Sequence, residues 1–68
     1  MPYYLVNKNA QPGGEHEVHE SNCGHLPEFM NRQDLGFHAT CKGAVQAAKR
    51  YYDNVDGCYY CCNDCHTR

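Results

Sequence analysis

The chain has 68 residues, six of them cysteine, and a formal net charge of −2. A chain of this length makes one domain and buries only about 60% of the surface that its unfolded form exposes, so its core needs support. Six Lys and Arg against eight Asp and Glu leave no basic surface, and nucleic acid is not expected as a partner. No apolar run reaches the roughly 18 residues of a membrane span, so no membrane association is expected.

Two short segments near the N-terminus have the composition of β-strands. Residues 3–8 are rich in aromatic and branched side chains, and residues 15–20 alternate in polarity. Residues 9–14 between them contain Pro and two Gly, which supply the restricted and positive φ values of a turn. The two segments are predicted to pair as an antiparallel hairpin with one face in water.

The second strand carries a His-x-x-His pair, His16 and His19. Residues three apart on a strand point to opposite faces, so these two imidazoles cannot chelate one ion together. Glu15 and Glu17 flank them. The segment is therefore interpreted as an exposed, polar strand face.

The middle of the chain predicts a loop, a short strand and one helix. Residues 21–33 contain Gly and Pro and are predicted to form a loop tethered by Cys23, and residues 34–38 are a strand candidate. A helix is predicted over residues 41–54, with Thr40 as its N-cap. An apolar stripe at helical spacing supports it, namely Cys41, Ala44, Val45, Ala48 and Tyr52.

These elements predict a single α+β domain over residues 1–68. A small antiparallel sheet of two to three strands is packed by one central helix, and a Cys-rich segment at residues 58–66 closes the domain. Local sequence leaves open whether that segment is helical or extended. Its thiols lie at helical spacing, but Tyr-Tyr-Cys-Cys after Asp-Gly also resembles a strand after a turn.

The closing segment predicts a structural zinc site. Its candidate ligands are Cys58, Cys61, Cys62, Cys65 and His66. They include two adjacent Cys-x-x-Cys pairs, a spacing that places two sulfurs on one ion, although contiguous pairs wrap a single ion poorly. Two or three of these ligands are therefore expected to bind zinc, with the set completed by Cys23, Cys41 or His25.

Two further kinds of thiol chemistry stay open at this point. A disulfide framework suits a small chain with an even number of cysteines, and Cys23–Cys41 is the most natural bridge, alone or beside a zinc site in the tail. A thiol redox protein would use Cys41, placed in the first helical turn where the dipole favours thiolate, or the Cys62/Cys65 pair.

Two weaker interpretations complete the alternatives. Residues 62–66 match the Cys-x-x-Cys-His pattern of c-type haem attachment, but the match is short and little chain follows to cover a haem. The cysteines can also serve simply as small buried hydrophobes. Neither interpretation explains four thiols within eight positions as well as metal binding does.

Several segments together resemble a family of small, uncharacterised bacterial proteins. They are residues 4–11, 16–19, 35–36, 57–62 and 65–67, with sequences YLVNKNAQ, HEVH, LG, GCYYCC and CHT. The resemblance spans most of the chain and implies a bacterial origin. It brings no activity, ligand or partner with it.

The sequence as a whole predicts a zinc-stabilised module that acts by binding rather than catalysis. No Ser-His-acid arrangement, phosphate loop or catalytic pair of acids is evident. The N-terminus lacks the pattern of a secretion signal, so a cytoplasmic location is expected. The expected partner is another protein or a second copy bound at an exposed sheet edge. A thiol redox protein and a disulfide-stapled structural miniprotein are the alternatives.

Overall fold

The computed structural model describes residues 1–67, which form one four-stranded sheet and one α-helix. The elements are β1 (Tyr3–Asn7), β2 (His16–Glu20), β3 (Arg32–Phe37), α1 (Cys41–Ala48) and β4 (Val55–Gly57), with 3-10 turns at Phe29–Asn31 and Asn63–Cys65. The strand order is β3-β1-β2-β4. The α+β class predicted from the sequence is confirmed.

Strands β1 and β2 form the antiparallel hairpin, with Leu5 opposite His19 and Val6 opposite Val18. The turn between them uses Gly14 at φ 94°, a backbone conformation that other residues adopt at a cost. Strand β3 pairs antiparallel with the other side of β1. The register passes from Gly36 to Asp34 while β1 advances by one residue, so this edge of the sheet contains a bulge.

Strand β4 is parallel to β2 and was not predicted. Its three residues, Val-Asp-Gly, are too few to show alternation and contain two residue types that are depleted in strands. Their partner and direction come from the tertiary fold, because the chain returns through α1 before it pairs with β2. The prediction of an antiparallel sheet of two to three strands is therefore corrected to a mixed sheet of four.

The helix is shorter than predicted, since α1 ends at Ala48 rather than near residue 54. Tight turns follow, in which the N–H groups of Arg50 and Tyr51 donate to carbonyls three residues earlier. They turn the chain so that the Asn54 carbonyl accepts the His16 N–H and β4 can begin. Thr40 does occupy the N-cap position, but its side chain makes no capping hydrogen bond. Within residues 1–67, no helix is long and apolar enough to cross a membrane.

The core lies between the sheet and α1 and contains few aliphatic groups. Its buried members are Tyr4, Val6, Val18, Cys41, Ala44, Ala48, Cys58 and Cys62. Cysteine side chains thus fill space that larger hydrophobes fill in ordinary domains. His19, in β2, points to the opposite face of the sheet from the core residue Val18. It is nevertheless only 1% exposed. Cys61 of the Cys-rich tail lies beside its ring, with Sγ 3.9 Å from Nδ1.

Candidate metal centre

Four ligand atoms from three parts of the chain converge at the end of β2. They belong to His19, Cys23, Cys58 and Cys61, and all lie within 4.8 Å of one another. The Sγ atoms of Cys23 and Cys58 are 3.9 Å apart, and Cys61 Sγ is 3.9 Å from His19 Nδ1. Three thiols and one imidazole at these distances can hold a single metal ion.

The parallel pairing of β4 with β2 creates this cluster. Immediately after β4, the Cys58 N–H donates to the Val18 carbonyl, so that Cys58 lies beside His19 in the neighbouring strand. Cys23 comes back to the same place through a turn, in which its N–H donates to the Glu20 carbonyl. His19 and Cys23 are close in sequence, as are Cys58 and Cys61, and the pairing of β2 with β4 brings the two pairs together.

Backbone N–H groups point at each of the three sulfurs. The Cys23 sulfur accepts from the His25 N–H at 3.4 Å, the Cys58 sulfur from Tyr60 at 3.4 Å and the Cys61 sulfur from Glu20 at 3.3 Å. Such bonds stabilise a thiolate more than a thiol. Burial raises the pKa of the Cys61 thiol, so that without an ion it keeps its proton. Metal binding would displace that proton, and the N–H groups would then complete the shell around the ligands.

The two loops that carry Cys23 and Cys58 are related in structure. In each, the residue two positions after the cysteine donates its N–H to the sulfur, and its ring then stacks on the other loop's ring. The rings of His25 and Tyr60 lie 3.9 Å apart at an interplanar angle of 19°. The stack joins the two loops next to the ligand cluster.

The His19 imidazole is in the neutral form that a metal ligand needs. Its pKa is lowered to about 4, chiefly by burial and also by the nearby charges of His25 and Arg32, so the ring is uncharged near pH 7. While Nδ1 faces Cys61, Nε2 lies 3.3 Å from a carboxylate oxygen of Glu17. A carboxylate on the far nitrogen of a metal-binding histidine fixes the tautomer and the ring orientation. Burial raises the pKa of Glu17, which is consistent with its position on a covered part of the strand.

Replacing Glu17 by Gln is expected to weaken metal binding by about 10–100-fold, because the far nitrogen of His19 loses its carboxylate partner. Competition with a chromophoric chelator would measure the affinity. Glu28→Gln is the matched control, since Glu28 is exposed and lies outside the cluster. Equal affinities for the two variants would show that Glu17 does not position His19.

The remaining predicted ligands lie elsewhere. Cys65 forms a disulfide with Cys41 across 24 residues, with a Cα–Cα distance of 6.3 Å, so neither sulfur is available to an ion. This pairing also corrects the predicted Cys23–Cys41 bridge, because the turn after β2 directs Cys23 to the metal cluster instead. Cys62 is a free, buried thiol whose Sγ is 3.9 Å from that of Cys61 but which faces the core. The His66 ring contacts the Gly57 carbonyl oxygen at 2.9 Å.

His19 was not among the ligands predicted from the sequence, and the interpretation of its strand face as exposed is corrected by its burial. Cys58 and Cys61 of the Cys-rich tail meet His19, which strand alternation alone does not reveal. The sequence does contain one local signal, because His19 and Cys23 are four residues apart at the end of a strand. The tail itself is neither helix nor strand between residues 58 and 62, and contains one 3-10 turn at Asn63–Cys65.

Comparisons of the chain with family models, with curated proteins and with solved structures yield no match. The resemblance to small bacterial proteins therefore stays a prediction. A function for the chain has to be inferred from the chemistry of the site itself.

Proposed function

We propose that this protein is a small zinc-stabilised module that acts by binding a partner. The observation that carries the proposal is the cluster of His19, Cys23, Cys58 and Cys61. Two thiolates on a tetrahedral zinc ion with Zn–S bonds of about 2.3 Å lie about 3.8 Å apart. The Cys23–Cys58 sulfur distance of 3.9 Å is close to that separation.

The ligand set favours a structural role over a catalytic one. A Cys₃His set supplies all four positions of a tetrahedral zinc ion, whereas catalytic zinc sites keep one position open for water or substrate. Two of the ligands, His19 and Cys58, are each 1% exposed, and the other two, Cys23 and Cys61, are half-buried, which limits the access of a substrate. The module is therefore proposed to use its metal for folding and a different surface for its partner.

The edge of β3 is the proposed partner surface. Strands β3 and β4 are the outer strands of the sheet, but β4 has only three residues and continues directly into the ligand cluster. Strand β3 has six residues and ends at Phe37, whose side chain is 62% exposed. A partner strand or a second copy of the chain can extend the sheet there. A bacterial origin, supported by the resemblance, and a cytoplasmic location belong to the same proposal. Four of the six cysteines are free thiols, as in the cytosol, whereas the Cys41–Cys65 bridge is of a kind that is rare there.

Native mass spectrometry of ligand variants tests the zinc site. The unaltered protein is expected to carry one zinc ion and to lack two hydrogens for the Cys41–Cys65 bridge. Cys58→Ser is expected to lose the ion, because serine does not replace a thiolate on zinc. Cys62→Ser is the matched control, since Cys62 neighbours the cluster in sequence and yet lies outside it. Metal-free unaltered protein, or equal metal loss in both variants, would refute the assignment.

A further inference from the structure

A cavity of about 550 Å³ lies next to the metal centre, between the start of α1 and the Cys-rich tail. It is open to solvent on one side. Two sulfur residues that take no part in the metal cluster line it, Cys41 of the disulfide and the free thiol Cys62. Cys61 of the ligand cluster also lines it, so a small molecule in the cavity lies between the disulfide and the metal centre.

Charges of both signs surround the cavity. Glu20 and Asp64 contribute carboxylates, and Lys42, in the first turn of α1, contributes an ammonium group. Tyr4, which is 2% exposed, also lines the cavity and adds a phenol group to its wall. These groups match a ligand that carries an ammonium and a carboxylate together.

We propose that this cavity binds a small thiol built on an amino acid and that the bound thiol exchanges with the Cys41–Cys65 disulfide. The ammonium group of the ligand would face Glu20 and Asp64, and its carboxylate would face Lys42. The thiol is then held beside the Cys41 sulfur. Such recognition adds a thiol-exchange activity to the metal-stabilised fold and goes beyond the role proposed above.

The exchange balances in two steps. The ligand thiolate attacks Cys41 Sγ, the bond to Cys65 breaks, and Cys65 leaves as a thiolate that takes a proton from water. A second thiolate then attacks the ligand sulfur of the mixed disulfide, which releases the oxidised ligand dimer and leaves Cys41 reduced. Two ligand thiols are oxidised and one protein disulfide is reduced.

Four thiol probes separate recognition from simple reactivity. Cysteine carries both charged groups, cysteamine only the ammonium, 3-mercaptopropionate only the carboxylate, and 2-mercaptoethanol neither. Rates of disulfide opening would be measured on the metal-loaded protein by quenched mass spectrometry and compared per thiolate. Cysteine is expected to react about tenfold faster than 2-mercaptoethanol and to saturate, because charge-assisted contacts hold it in the cavity.

Matched variants and the site of modification complete the test. Lys42→Gln is expected to remove most of the advantage of cysteine over cysteamine, whereas Lys49→Gln, at the other end of α1, is expected to keep it. Alkylation of the first intermediate is expected to find the ligand on Cys41 and the alkyl group on Cys65. Rates that depend only on thiol nucleophilicity, or equal effects of the two Lys variants, would overturn the proposal. So would a single rate that is the same for all four thiols at every concentration. The last result would mean that the disulfide opens only when the protein unfolds.

Chelator assays in the same reactions would follow zinc release, so that the disulfide proposal and the zinc assignment are tested separately. Disulfide opening by cysteine is expected to precede any zinc release. Zinc release before disulfide opening would overturn the proposal, since the thiol would then be acting on the metal ligands. A folded protein that binds no zinc would refute the metal assignment alone, because the same kinetics would still test the cavity and its disulfide.

Discussion

Removal of the metal by a strong chelator is expected to unfold the protein even while the Cys41–Cys65 disulfide is intact. A structural zinc ion contributes on the order of 10 kcal/mol to folding, which exceeds what a core with so few aliphatic residues supplies. Three of the four ligands come from segments without regular secondary structure, so the ion would join parts of the chain that no helix or strand orders. Far-ultraviolet circular dichroism and amide hydrogen exchange would follow the loss of the sheet.

Restoring the metal provides the control for that experiment. Added zinc is expected to return the spectrum and the exchange protection, since the disulfide keeps the tail close to the helix. In the chain-entropy model a bridge across 24 residues contributes only about 3.5 kcal/mol, less than the ion. A chelated sample that is metal-free by mass and melts at the same temperature as the untreated protein would contradict the structural role of the ion.

Gly57→Ala is expected to destabilise the domain by about 1–3 kcal/mol, the range of an overpacked core. A Cβ at this position would lie 2.7 Å from the Cys62 carbonyl oxygen and 2.8 Å from the Cys65 Cβ. Neither atom moves easily, because the first is backbone and the second belongs to the disulfide. Urea unfolding of the metal-loaded protein would measure the change in the free energy of unfolding.

Gly24→Ala is the matched control for Gly57→Ala. Gly24 directly follows Cys23 of the candidate metal centre, just as Gly57 directly precedes Cys58, but a Cβ added at Gly24 would meet no atom within 4 Å. Its effect is expected to stay within about 0.5 kcal/mol, as for surface substitutions in general. If both substitutions cost the same, the close packing of the tail against β4 would not be the cause.

The sequence predicted the parts of the fold that depend on local patterns. The hairpin followed from alternation and from the turn at residues 9–14, and the start of α1 followed from the stripe that includes Cys41 and Ala44. Strand β4 could not be predicted, because three residues carry no period and the parallel pairing with β2 is a tertiary contact. The helix end was misplaced for the same reason, since the return of the chain to β2 decides where α1 stops.

For the candidate site, the residue types in the sequence predicted the kind of chemistry, but they did not predict which residues come together. Thiols in the tail pointed to metal chemistry, and the structure brings two of them, Cys58 and Cys61, together with Cys23. Six cysteines allow fifteen pairings, so spacing alone did not show that Cys65 bonds Cys41. The fourth ligand atom, on His19, depends on where the tail meets β2, and the alternation of the strand does not predict this tertiary contact.

The cluster and the disulfide connect overlapping stretches of the chain. The sulfur of Cys61 is 42 residues from its neighbour on His19, and the pair Cys23 and Cys58 is 35 residues apart. The disulfide begins at Cys41, inside the loop between Cys23 and Cys58, and ends at Cys65, beyond that loop. The two crosslinks are therefore interlaced rather than nested. Residues 41–58 belong to both loops, and opening either crosslink leaves this shared segment, with α1 and β4, still tethered by the other.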